Sequence, residues 1–310
     1  MRLIKETHIK FMDQRRFGFI LSTVVILAGL MSLVYQGGPK LSIDFNGGTM
    51  VAVNFTEAVD INSVRNTLSD VSVNGQHFDL SKDEIKLFGD PSNISIRLAY
   101  SEDRPENFAQ DVVNHLYDAY PDKVPADTKN FILTIERVGP KIGSELSGKA
   151  VMAVISALGL ILLYISIRFE FKFALGAIAA LTHDILVTLG LFSILGYEIS
   201  LSIVAAFLTI VGYSLNDTIV IFDRIRENIK AKRSHSYDRI VDESINESLS
   251  RTVITSLTTF FVVLILWLFG GEVIHGFAFA MIVGVIVGTY SSIYIASPIV
   301  VHLHSKQVEK

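Results

Sequence analysis

Six apolar stretches decide what this chain can become. Residues 17–35, 150–167, 173–195, 199–222, 253–269 and 277–301 are each about the 17 to 25 residues that an α-helix needs to cross a bilayer. Half of all residues are hydrophobic and the mean hydropathy is +0.45. Too little polar chain remains to wrap six such helices inside a soluble protein. The first stretch carries no charge, is longer than a signal-peptide core and is followed by no small-residue cleavage site, so it reads as a retained anchor. The expectation is a polytopic α-helical membrane protein.

The net charge of −4 hides an asymmetry. Residues 1–16 carry Arg2, Lys5, Lys10, Arg15 and Arg16 against Glu6 and Asp13. Arg168 and Lys172 sit between the second and third stretches. Arg224, Arg226, Lys230, Lys232, Arg233 and Arg239 sit between the fourth and fifth, and Lys306 and Lys310 close the chain. The alternate links, 196–198 and 270–275, contain no Lys or Arg. Every short basic segment then falls on one side, which the positive-inside rule makes the cytoplasm. Both termini are expected there: 1–36 holds the N-terminus and first helix, 37–148 an external domain, and 149–310 the other five helices. The sequence has no cysteine, so the external domain must hold itself together through its core.

Within 37–148, strands are expected at 41–45 and 50–55 around the turn-forming run Asn46-Gly47-Gly48. Asp60 suits the cap of a helix reaching Ser69. Further strands are expected at 71–73, 85–88 and 93–100, a second helix over 105–120 and a last strand over 131–138. The order β-α-β-β-α-β is that of a ferredoxin-like α+β domain. Gly139 and Pro140 end the last strand, and Ser144 and Glu145 suit a helix entry. Residues 236–250 read as an amphipathic helix at the cytoplasmic surface, with Tyr237, Ile240, Val241, Ile245 and Leu249 on one face and Asp238, Asp242, Glu243 and Glu247 on the other.

Asp217 interrupts the fourth stretch. A carboxylate at membrane depth costs about 2.5–3.5 kcal/mol on insertion scales, so such a group is a candidate for handling a proton or ion. The alternative is an acid near the helix end that snorkels to water. Tyr213 and Ser214 lie one turn away on the same face, and Asn216 is its neighbour. Such a set can hold the carboxyl in either protonation state or help to coordinate a hard cation. Arg251, at the start of the fifth stretch, is a counter-charge for Asp217 or an interfacial anchor, and the residues alone leave both open. Thr255, Ser256, Thr258 and Thr259 form a polar strip suited to packing between helices. His183 and Asp184, mid-way along the third stretch, are a relay or a bundle-lining pair; as neighbours they point apart and need not share a partner. No Walker loop, His/Cys metal spacing or serine-hydrolase elbow is present. No enzyme activity, metal, cofactor or nucleic acid is therefore expected, and any driving force would come from an ion gradient.

Ile43-Asp44-Phe45-Asn46-Gly47-Gly48-Thr49, Val138-Gly139-Pro140, the run from Gly212 to Asn228, Arg251-Thr252-Val253-Ile254-Thr255-Ser256 and Leu268-Phe269-Gly270-Gly271 resemble the SecD/SecF family of protein-export membrane proteins. The resemblance covers nearly the whole chain in the right order. It implies a six-helix half of a resistance-nodulation-division-type transporter, partnered by a SecD-like subunit. It also implies use of the proton motive force, or of sodium, to draw preproteins from the SecYEG channel at the bacterial cytoplasmic membrane. The family's ion-coupling acid and arginine carry over to Asp217 and Arg251. Two other readings remain: half of a small-molecule exporter of the same superfamily, and a translocon assembly factor that transports nothing.

Overall fold

A computed structural model describes residues 7–105, 107–232 and 234–308. Of the charges weighed above, Arg2, Lys5, Glu6, Arg233 and Lys310 lie outside the described residues. The chain divides into two compact units, one formed by Met1–Lys40 with Ala150–Lys310 and the other by Leu41–Lys149.

In the first unit a 3-10 turn, Met12–Gln14, leads into α1 (Arg15–Tyr35). Among the described residues six helical spans are long and apolar enough to cross a membrane. After α1 these are α6 (Pro140–Arg168), α7 (Phe171–Leu195), α8 (Leu201–Ala231), α9 (Tyr237–Phe269), and α10 (Glu272–Ser291) continued through a π-helical turn, Ser292–Ala296, into α11 (Ser297–Val308). Gly196, in the left-handed region at φ 70°, closes α7 by donating to the carbonyls of Phe192 and Ser193. α8 packs on α10, α9 on both, and α1 on α7. Small residues set these approaches. A Cβ on Gly29 would stand 2.6 Å from the Cα of Gly190, and one on Gly288 would stand 2.9 Å from the Cβ of Ser214. Phe169, Phe173 and Phe222 centre the core, the last two edge-on at 4.9 Å. Along 150–168 of α6, Ile165 alone is buried, Ile161 and Leu162 pack half-buried against the core, and Val151, Met152, Ile155, Leu160, Leu163 and Ile167 are exposed.

The helices run past their apolar segments, which corrects several expectations. The amphipathic stretch 236–250 and the apolar stretch 253–269 are one helix, α9, because Arg251 and Thr252 contain no breaker. α6 starts at Pro140 and not at Ser144, since proline is well suited to the first helical turn. Lys172, expected in a link, is buried at the start of α7, 2.7 Å from Glu170. The acidic face of α9 is not simply solvated. Asp242 accepts the Met12 N–H at 2.9 Å, Asn246 exchanges two hydrogen bonds with the backbone of Ile9, and Arg15 reaches Asp238 at 3.0 Å. Phe11 and Met12 are thereby seated in the core.

The second unit begins with a correction. Residues 41–45 are not a strand. Ser42 Oγ accepts from the Asp44 N–H and starts a short helical turn, α2 (Ile43–Asn46), which Gly47 ends at φ 73°. Then follow β1 (Gly48–Asn54), α3 (Ile61–Thr67) capped by Asp60, β2 (Val71–Val73), β3 (Gln76–Phe78), β4 (Glu84–Phe88), β5 (Asp90–Leu98), α4 (Phe108–Ala119), the turn α5 (Thr128–Phe131) and β6 (Ile132–Val138). The β2–β3 hairpin turns at Asn74 and Gly75, both at positive φ, a signal that the sequence reading passed over. The main sheet is antiparallel in the order β4-β5-β1-β6, with Val51 between Ile96 and Ile135. Ile94, Ile96 and Leu98 turn into a core shared with Val64, Leu68, Val112 and Leu116, as strand alternation requires.

Candidate functional site

Two sets of buried polar groups surround the two buried acids of the apolar helices. The first surrounds Asp217 of α8, which is 2 % exposed. Its Oδ2 lies 3.3 Å from Ser256 Oγ of α9, and that hydroxyl lies 2.6 Å from Thr289 Oγ1 of α10. Thr289 in turn donates to the Val285 carbonyl at 2.9 Å. This set suits either state of the acid. An ionised Asp217 takes the Ser256 proton, and Thr289 then turns its own proton from the Val285 carbonyl to Ser256 Oγ. A protonated Asp217 donates to Ser256 Oγ, which donates to Thr289, which donates to Val285, leaving no donor idle.

The second set surrounds Asp184 of α7, which is fully buried. Its Oδ2 accepts from Ser214 of α8 at 2.6 Å and from Ser291 of α10 at 2.9 Å. Its Oδ1 lies 2.9 Å from His183 Nδ1. His183 Nε2 is 3.0 Å from Ser22 Oγ of α1, Ser22 is 3.0 Å from Tyr290 Oη of α10, and Tyr290 donates to the Gly18 carbonyl at 2.7 Å.

The residues singled out in the sequence are thus regrouped. Ser214, expected beside Asp217, serves Asp184. His183 and Asp184, expected to point apart, bond to each other. Asn216 is exposed on α8 and Arg251 is exposed on α9; among the described residues no hydrogen bond or ion pair joins Arg251 to Asp217. Tyr213 Oη and Thr252 Oγ1 are buried without a hydrogen-bond partner among the described residues. The motif residues Gly47, Gly48, Gly139 and Pro140 meet in the other unit. A Cβ on Gly47 would stand 2.9 Å from the Cα of Pro140, and one on Gly48 would stand 2.7 Å from the Leu98 carbonyl, so both glycines are needed for the close approach as well as for positive φ. Asp44 is half-buried in the turn before them. Sequence reasoning missed Ser22, Thr289, Tyr290 and Ser291. The available signal was a run of four consecutive oxygen-bearing side chains, Thr289 to Ser292, inside the last apolar stretch. Among the described residues no group of three or more His, Cys, Asp and Glu is placed to hold a metal ion.

Residues 122–306 match the protein export membrane protein SecD/SecF, C-terminal family. The chain belongs to the SecD/SecF family. Similar members are the protein translocase subunit SecF of Calditerrivibrio nitroreducens, 44 % identical over 97 % of this chain and 96 % of that one, and the SecF of Rhodothermus marinus, 41 % identical over 99 % and 96 %. The crystal structure of SecDF from Thermus thermophilus, a translocon-associated membrane protein, superposes with a TM-score of 0.84 at 37 % identity. It covers 97 % of this chain, which spans only 39 % of that longer one. As in these SecD/SecF relatives, the chain is a multi-pass membrane protein, and their names describe a transport role and no catalysis.

Proposed function

We propose that this chain is the SecF-type half of an ion-gradient-driven complex that promotes protein translocation across the cytoplasmic membrane through the Sec channel. The observation that carries this reading is the hydrogen-bonding of Asp217, a buried carboxyl whose neighbours Ser256 and Thr289 accommodate it with or without its proton. A group kept at membrane depth at a cost of kcal/mol, and able to change state there, suits coupling to a gradient. One proton crossing 100 mV gains about 2.3 kcal/mol. Arg251 shares α9 with Ser256. In this mechanism its charge draws toward Asp217 when the bundle repacks, and protonation or a bound cation releases it. The orphaned Tyr213 and Thr252 oxygens lie one turn from Asp217 and Ser256 and offer ligands for water or a hydrated ion.

A SecD-like subunit is the proposed partner. Asn216 on α8 and Arg251 on α9 are exposed polar side chains that lipid would leave unpaired. The Thermus SecDF, a chain more than twice as long, supports the same pairing. SecYEG and the translocating preprotein are the further partners in this reading. Both termini are placed in the cytoplasm and 37–148 outside, where the sheet order β4-β5-β1-β6 with two crossing helices supports a ferredoxin-like domain. Single cysteines at Ser92 and Ser234 should react with an impermeant maleimide from opposite sides, and reaction from one side would overturn the orientation. The function itself is tested by export into membrane vesicles holding the chain and its partner. Export should slow when the gradient is dissipated, and supplying or omitting sodium then names the ion. Export indifferent to any gradient would leave the exporter or assembly-factor reading.

A further inference from the structure

The path Asp184–His183–Ser22–Tyr290 does not touch Asp217, and its hydrogen bonds can be given directions by counting protons. Tyr290 has one proton and gives it to the Gly18 carbonyl at 2.7 Å. Its oxygen can then only accept from Ser22, 3.0 Å away. Ser22 has spent its own proton and must accept from His183, so Nε2 carries a hydrogen. On the other side of the ring, Nδ1 faces Asp184 Oδ1 at 2.9 Å. Two bare lone pairs at that distance would repel, so a second proton lies between them. Asp184 Oδ2 is faced by Ser214 at 2.6 Å and by Ser291, which stands nearer to it, at 2.9 Å, than to the Gly288 carbonyl, at 3.2 Å; with both donating to Oδ2, that proton is confined to Oδ1 or Nδ1. With three donors aimed at it, the carboxylate is the better-supplied form, and the ring holds both protons.

We infer that His183 and Asp184 form a second proton-binding site in the bundle, an imidazolium–carboxylate pair whose extra proton is exchanged with water through Ser22 and Tyr290. Release proceeds by successive transfers. The Nε2 proton passes to Ser22 Oγ, the Ser22 proton to Tyr290 Oη, and the Tyr290 proton to a water molecule, forming hydronium. No covalent bond other than N–H and O–H changes, and the pair goes from net zero to net −1. Afterwards every bond in the path points the other way: Tyr290 donates to Ser22, Ser22 donates to the bare Nε2, and the Gly18 carbonyl has lost its donor. The facing side chains from α1, α8 and α10 are Ser22, Ser214, Tyr290 and Ser291, with Tyr294 5.2 Å beyond Tyr290. Of the four facing side chains only Tyr290 is titratable; Tyr213 and Asp217 stand on α8 beside Ser214 and one turn from it, Tyr294 lies in the π-helical turn, and no Lys, Arg or Glu bonds to the pair among the described residues. Loading this site therefore changes the contact between α1 and α10, whereas the Asp217 set joins α8, α9 and α10.

The test is nitrogen-15 NMR of the full chain with labelled histidine in lipid nanodiscs, with the His183 signal assigned by its loss in His183→Gln. At mildly acidic pH both ring nitrogens should be protonated. Raising the pH should convert the ring in one step to the form protonated at Nδ1 alone. Asp184→Asn should abolish the doubly protonated form under the same conditions. Tyr290→Phe removes the acceptor for the Ser22 proton, so at a pH within the transition the doubly protonated fraction should fall several-fold, as expected for one hydrogen bond; a tyrosine that only packs against the ring would not move it. The same transition in Asp217→Asn shows the site independent of the coupling reading, so either can fail alone. A His183 ring that stays neutral from acidic to alkaline pH, or a transition unchanged in both Asp184→Asn and Tyr290→Phe, overturns the inference.

Discussion

Two buried carboxyls in one bundle are provided for differently. Asp184 has three donors from three residues, whereas Asp217 has one hydroxyl that it shares with Thr289. A fully supplied carboxylate is held in place, and one dependent on a shared proton is free to change partners. Outside the membrane spans, Asp83 shows the cost of burial for such a group. Burial raises its pKa above the ordinary carboxylate value although Arg104 stands 3.3 Å away. The folded domain therefore binds this proton more tightly than the unfolded chain does. Its contribution to stability is greatest below the ordinary value and is lost as pH rises through the raised one. The melting temperature of wild type relative to Asp83→Asn should accordingly fall as pH rises from below the ordinary value of 3.8 through the raised one and level off above it, and a constant difference would contradict this. At this scale the sequence disclosed that Asp217, Ser214, His183 and Asp184 are out of place in apolar helices. Their partners were not legible, because helical spacing gives the face of a residue but not which neighbouring helix that face meets. Ser214 is one turn from Asp217 and still bonds across to α7.

Helices were legible where composition changes and illegible where it does not. The apolar segments mark the spans, but α6 and α9 begin, and α8 ends, in polar sequence, so hydropathy alone started the first two too late and ended the third too early. The 41–45 strand was misread because three apolar residues, Leu41, Ile43 and Phe45, alternate there, whereas local capping by Ser42 prevails. The docking of Ile9–Arg15 on α9 depends on long-range pairs with Asp238, Asp242 and Asn246 and leaves no local pattern. The α1–α7 crossing is set by backbone contact at Gly29 and Gly190. Gly29→Val must push the helices apart, and overpacking of this kind costs about 1–3 kcal/mol. It should lower the thermal stability of the detergent-solubilised protein and separate Ser32 from Ser193, now 2.8 Å apart. Wild-type melting for Gly29→Val would show that the crossing adapts freely.

For the whole molecule, the exposed apolar surface of α6, the polar positions exposed on α8 and α9 and the buried Asp217 are what the proposed function reads as half of a two-subunit machine. Charge asymmetry and hydropathy were enough to expect a polytopic membrane protein with one large domain inserted after the first helix. They could not show how the bundle distributes its polar groups, since that distribution is a property of packing. The account stands on Asp217. Asp217→Asn keeps the size of the side chain and mimics the protonated acid, so the variant should insert, retain its SecD-like partner and export preprotein at the rate that wild type shows without a gradient. The decisive measurement is export into vesicles under a full ion gradient, wild type against Asp217→Asn. The account predicts that the gradient-stimulated part of the rate disappears in the variant; export at the wild-type rate would contradict it.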